Sequence, residues 1–254
     1  MDTINKILET TIEQNKPEIR KCDFCGKPYE WYELKVLNRT SKVLVPACNC
    51  MDVEEKRKEA EKKAIHDKEI LAKKFENSLM TPFFRNKTFD NLQKNEHYRL
   101  CFKYAVEFNP NEHQGILMIG NPGTGKTSLL AAICNNLITR GYNCLFITFS
   151  ALLDKFMKHS YENAGDISTL LNWLVKFDFI AIDDIGRENY TDRRKEIAFR
   201  IIDTILNYQI TAGFTANPEM ITKLQNIPDW EAILDRLKDI CVVQMSFKGQ
   251  SLRG

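Results

Sequence analysis

The residues with the clearest chemistry run from Gly120 to Ser128: Gly120-Asn121-Pro122-Gly123-Thr124-Gly125-Lys126-Thr127-Ser128. Their order fits G-x-x-x-x-G-K-[ST], the P-loop spacing. Gly120, Gly123 and Gly125 let the backbone take positive φ and come close to a ligand. The loop N–H groups and the following helix N-terminus then point at a polyanion. Lys126 can set its ammonium between β- and γ-phosphates, and the Thr127 hydroxyl can ligate Mg²⁺. The loop predicts binding of a nucleoside triphosphate.

Two further polar clusters suit the same chemistry. Asp183-Asp184 closes the apolar run Phe179-Ile-Ala-Ile. At the C-terminal end of a parallel strand beside the P-loop, Asp183 can hold Mg²⁺ through water, and Asp184 can orient or deprotonate an attacking water. Paired acids at a strand end also cap helices. Thr215-Ala216-Asn217 ends another apolar run, where a polar Asn or Thr can sense the γ-phosphate. Asn217 is equally placed to cap the helix that opens at Pro218. Near the N-terminus, Cys22-x-x-Cys25 and Cys48-x-Cys50 have 22 residues between them. Two close thiol pairs can close a tetrahedral zinc site, with Gly26 in the tight turn. Unligated thiols and an iron–sulfur site are the alternatives. Cys101, Cys134, Cys144 and Cys241 sit singly in apolar stretches and read as core.

These groups must be positioned by alternating strands and helices. The patterning predicts strands at 116–119, 144–149, 177–182, 213–215 and 240–245. Helices are predicted at 126–138, 151–160, 167–176, 192–208, 218–225 and 230–237. Such alternation is an α/β layer structure with a mostly parallel sheet flanked by helices. Ahead of it, Ile4, Ile7, Leu8 and Ile12 share one stripe of a short helix. Strand-like stretches at 29–37 and 43–45 lie between the cysteine pairs. Residues 52–79 are charge-dense without Gly or Pro and predict one long, mostly solvated helix. A boundary near Pro82 separates a small Cys-rich domain, residues 1–80, from a larger one, 81–254.

The 254-residue chain is 43% hydrophobic and 28% charged, with a net charge of +2. That balance gives no general drive toward nucleic acid, so any such contact needs a local patch. No membrane span or signal peptide is legible. Eight cysteines then read as reduced or metal-bound, and the protein as cytoplasmic.

The order GNPGTGKTSLLAAI, FIAIDDIG, FTAN, AILDRL and SLRG, behind a Cys-rich module, resembles the AAA+ ATPases of the DnaC/DnaI helicase-loader family. That resemblance implies an AAA+ fold, ATP and Mg²⁺ as ligands, and zinc in the N-terminal module. By motif, Asn217 corresponds to sensor 1, Arg236 to a trans-acting arginine finger and Arg253 to sensor 2. An arginine finger implies an oligomer. Residues 83–92 resemble the segment that lies over the adenine, with Phe89 on the base. The helix after Phe149 resembles the one turned toward single-stranded DNA, with Lys155, Lys158 and Tyr161 as contacts and Phe156 buried. The expected function is loading or remodelling of a hexameric replicative helicase on single-stranded DNA. The alternatives are an IstB-like transposition helper ATPase and a small-molecule or nucleoside kinase. Asp184 stands where many AAA+ proteins carry Glu. The shorter carboxylate predicts slow hydrolysis, at or below the ~10 per second of a median enzyme, and the resemblance implies that single-stranded DNA stimulates or regulates it.

Overall fold

The computed structural model describes residues 20–36, 39–186, 191–227 and 230–247; the side chains of 34–41 and 51 are set aside. The chain divides into two compact units, Met1–Lys68 and Glu69–Gly254. The stripe at 3–14 and Arg253 lie outside the described residues.

In the first unit, β1 (Tyr29–Val36) and β2 (Arg39–Pro46) pair antiparallel, with Tyr29 opposite Pro46 and Val36 opposite Arg39. A Lys21–Pro28 bridge brings the first cysteine knuckle to the base of this hairpin. Helix α1 (Cys50–Asn77) starts within the second cysteine pair. Its surface ion pairs, Arg57 with Glu54 and Glu61 and Lys58 with Glu54, suit a solvated helix. Among the described side chains of this unit, Cys22 is the only buried apolar one.

The unit boundary falls inside α1 rather than at Pro82. The last turns of the helix are tied into the larger unit: Lys74 Nζ donates to Asn143 Oδ1 (2.6 Å) and Phe146 N–H donates to the Ser78 carbonyl (2.8 Å). Leu71 and Phe75 pack against that unit's core.

The larger unit is a five-stranded, fully parallel sheet in the order β4-β5-β6-β3-β7. Its strands are β3 (Ile116–Gly120), β4 (Cys144–Thr148), β5 (Phe179–Ile185), β6 (Thr211–Ala216) and β7 (Val243–Phe247). Strand alternation sends Met118, Phe146, Phe179 and Ala181 into one core and Leu117, Leu145, Ile180, Ile182 and Phe214 into another, on opposite faces. Helices α3 (Glu96–Glu107) and α4 (Lys126–Thr139) cover the first face. The second face carries α5 (Phe149–Glu162), α6 (Ser168–Leu174), α7 (Asp192–Asn207), α8 (Pro218–Gln225) and α9 (Trp230–Ile240). The short α2 (Pro82–Arg85) precedes α3.

The strand bearing Asp183 and Asp184 is not beside β3; β6 lies between them. Helix α3 escapes the sequence patterning because Leu100, Phe102 and Val106 face outward while Cys101 and Ala105 face inward. The last strand begins at Val243, since α9 runs on to Ile240. Among the described residues, no helix is long and apolar enough to cross a membrane.

Candidate functional site

The loop 120–128 joins β3 to α4 at the carboxyl edge of the sheet. Gly123 (φ +82°) and Gly125 (φ +90°) occupy the left-handed region, as the turn into α4 requires. Gly120 serves differently. Its φ is not positive, and a Cβ there would come 2.5 Å from Phe247, so close packing of β3 on β7 selects it. Lys126 is nearly buried and donates from Nζ to the Gly120 and Asn121 carbonyls (2.6 and 2.8 Å). Thr124 Oγ1 donates to the Asn121 carbonyl (2.8 Å). Lysine and loop are thereby held in one frame.

Thr215 joins the loop to the acidic pair. The Thr127 hydroxyl donates to Asp183 Oδ1 (2.8 Å), and the buried Thr215 hydroxyl donates to the same oxygen (2.6 Å). Thr215 Oγ1 also accepts the Asp184 N–H (2.8 Å). The β5–β6 register breaks here: Ile182 faces Phe214, but Ile185 faces Ala216. The extra residue is accommodated as a bulge, with Asp184 at φ +62°. Thr215 fills the gap that β6 leaves between the P-loop strand and the acidic strand. Burial raises the Asp183 carboxyl above the usual range, against the lowering effect of the Thr215 and Thr127 hydroxyls.

The cleft these groups face has a volume of about 520 Å³. The loop from Pro122 to Leu129, Asp184, Thr215 and Asn217 form one side, and Phe83, Lys87, Leu92 and Gln93 stand on another. Asn217 lines the cleft and also caps α8, its Oδ1 accepting the Glu219 N–H (3.3 Å). Phe89 does not line the cleft. It is buried edge-on against Tyr98 and Phe102, where it closes the core under α3. The exposed aromatic at the cleft is Phe83, with the Lys87 ammonium 4.6 Å from its ring centre. Asn135 of α4 pins this wall by donating to the Phe84 and Lys87 carbonyls (2.9 and 2.7 Å).

Arg236 lies outside the cleft lining. Its Nε donates to Asp203 Oδ1 (2.9 Å), and its guanidinium sits 4.2 Å over the Phe199 ring. On α5, Phe156 is buried and Tyr161 is 80% exposed. Lys158 lies 3.9 Å from Glu162, whereas Lys155 turns over the Trp173 ring at 5.1 Å.

The second site is the cysteine cluster. The sulfurs of Cys22, Cys25, Cys48 and Cys50 lie within 4.8 Å of one another. The knuckle turns at Gly26 (φ +71°), whose N–H donates to the Cys22 carbonyl (2.8 Å). Backbone N–H groups of Phe24 and Cys25 bring Cys22 down to about 7, while the adjoining Cys25 and Cys48 thiols push Cys50 up to about 12. Four sulfurs this close cannot all ionise without a cation among them, so the donor set fits a metal ion.

Comparison with known proteins agrees with this geometry. Residues 84–254 match the family described as IstB-like ATP binding protein. The replicative helicase loader DnaC of Escherichia coli K12 is 31% identical over 176 residues, covering 66% of this chain and 69% of that protein. A crystal structure of the DnaC helicase loader superposes with a TM-score of 0.55 at 20% identity, covering 66% of this chain and all of the other. One of DnaI gives 0.56 at 22%, covering 69% and 95%. This chain belongs to the IstB-like ATP-binding family of AAA+ ATPases, alongside the DnaC/DnaI-type helicase loaders.

Proposed function

We propose that this chain uses ATP to load or remodel a hexameric replicative helicase on single-stranded DNA. The observation that carries the ATPase half is the Thr127–Asp183–Thr215 cluster with Asp184 held beside it. In the proposed reaction a water attacks the γ-phosphorus, its bond to the β–γ bridging oxygen breaks, and Asp184 takes the water's proton. Lys126 exchanges the Gly120 and Asn121 carbonyls for phosphate oxygens. Thr127 and Asp183 are the residues to hold Mg²⁺, which neutralises phosphate charge when bound. Asn217 faces the γ-phosphate with the amide edge its cap does not use. The base lies toward Phe83 and Lys87 instead of Phe89. Asp184, shorter than Glu, keeps turnover slow and open to control by single-stranded DNA.

Arg236 acts in this reading on a neighbouring copy's γ-phosphate, and Arg253 on its own. The Arg236–Asp203 pair is about one-third exposed, and pairs of that kind contribute about 0–1 kcal/mol, so exchanging Asp203 for phosphate is inexpensive. The cysteine unit, with zinc as its ion, grips the helicase together with α1. A cytoplasmic location follows from that role. The similarity to helicase loaders supports this assignment, as does the presence of a cysteine module ahead of the ATP-binding core.

The test is co-elution with a hexameric replicative helicase. The full chain is expected to form a stable complex and residues 81–254 are not; no complex with any such helicase overturns the proposal. The family match also admits a transposition helper of IstB type. In that case the chain would stimulate a transposase and leave helicase loading unchanged.

A further inference from the structure

The larger unit has a second cavity, at the opposite end of the sheet from the nucleotide cleft. About 690 Å³ in volume, it is bounded by the start of β4 (Asn143, Cys144), the end of α1 and α6. Three lysines converge on it, Lys74, Lys155 and Lys176, with Glu76 the only acid in the lining. Among the described residues none of the three belongs to an ion pair. By contrast Lys158, Lys103, Lys195 and Lys238 each have a carboxylate within 4 Å. Lys74 is held by Asn143 Oδ1, a neutral acceptor that leaves its charge uncompensated. Asp178, next to the groove, is occupied by the Asn143 N–H (2.7 Å).

The floor is aromatic and apolar: Trp173, Phe177, Leu170 and Leu79. Trp173 packs edge-on against Phe177 and carries the Lys155 ammonium over its ring. We infer that this groove binds single-stranded nucleic acid, the three lysines taking successive phosphates and Trp173 a base. This rests on the DNA partner proposed above and moves the main basic contact from the outer face of α5, where Lys158 is paired, to its Lys155 edge. Cationic groups around an aromatic platform are what a sequence-tolerant single strand requires. A duplex would present its bases stacked away from Trp173. An acidic polypeptide would satisfy the lysines but gain less from the ring.

Anisotropy of a labelled oligo-dT, measured across a salt series on the full chain, tests the inference. Each phosphate contact contributes about 0.7 to the salt slope on a single strand. Lys74→Ala, Lys155→Ala and Lys176→Ala together should lower that slope by about 2 and weaken binding on the order of tenfold at 0.1 M salt. Trp173→Leu, which keeps apolar bulk on Phe177, should weaken binding with the slope unchanged. Far-UV circular dichroism confirms that each variant is folded. An unchanged slope in the triple variant, with wild-type binding intact, overturns the groove alone. No binding of oligo-dT by the wild type overturns the DNA partner as well. Displacement of the oligonucleotide by poly-glutamate at equal charge concentration assigns the groove to acidic polypeptide and overturns the inference.

Discussion

The two chemical sites of this chain stand in opposite relations to their surroundings. The nucleotide cleft is a product of its fold: two apolar cores grip a five-stranded sheet, and the site forms where strand ends meet. The cysteine cluster is what its unit has instead of a core, since Cys22 is the only buried apolar side chain among those described there. One site can be emptied and its scaffold remains. The other would depend on an ion among its sulfurs, because the described side chains of that unit bury too little apolar surface to offset chain entropy.

Metal removal breaks the comparison most visibly. Chelation, or Cys25→Ser, should abolish the structure of the first unit while the 69–254 unit keeps its thermal transition. Calorimetry and metal analysis check this, with about one zinc per untreated chain expected. Next in size, Lys126→Ala should lower ATP hydrolysis on the order of 10²-fold or more and leave the metal content unchanged. A variant that lost zinc as well would show the two sites to be one cooperative system.

Thr215→Val sharpens the contrast inside the cleft. It removes the Thr215 Oγ1 acceptor of the Asp184 N–H and one of two donors to Asp183, so kcat should fall about tenfold with nucleotide affinity little changed. Loss of the two part-buried and buried hydrogen bonds of the Thr215 hydroxyl should also lower stability, by about 0.5–1.5 kcal/mol for each. Thr215→Ser should restore both, and a variant hydrolysing at the wild-type rate would remove Thr215 from the machinery.

On stability, Asp183→Asn gives the smallest change and the most telling sign. Burial raises the folded carboxyl's pKa above its unfolded value, so the native state favours the protonated form. The associated stability is full below the unfolded pKa and is lost as pH rises through the raised folded one. Near neutral pH, without nucleotide or magnesium, Asp183→Asn should therefore raise Tm. Its hydrolysis should be lost. A lowered Tm would mean that the Thr127 and Thr215 hydroxyls outweigh burial.

What was legible in the sequence follows the range of each interaction. The P-loop and the Asp183–Asp184 pair are contiguous, and their chemistry dictates their spacing. The α/β class followed from alternating apolar runs. Thr215's bridging role was hidden because it depends on β5 pairing with β6 and on the bulge at Asp184, neither encoded locally. Phe89 was drawn to the base by its position in a segment, whereas the packing of α3 took it and left Phe83 at the cleft. Lys155 and Lys158 looked alike on one helix, yet one turns to Trp173 and the other to Glu162.

The loading claim itself is best tested on closed circular single-stranded DNA, which a hexameric ring can encircle only by opening. Unwinding of a strand annealed to that circle, by a helicase the chain binds, should rise severalfold when the wild-type chain and ATP are added, and should not rise when the chain lacks residues 1–80. Equal unwinding with and without the chain, under conditions where helicase and chain co-elute, would contradict the account.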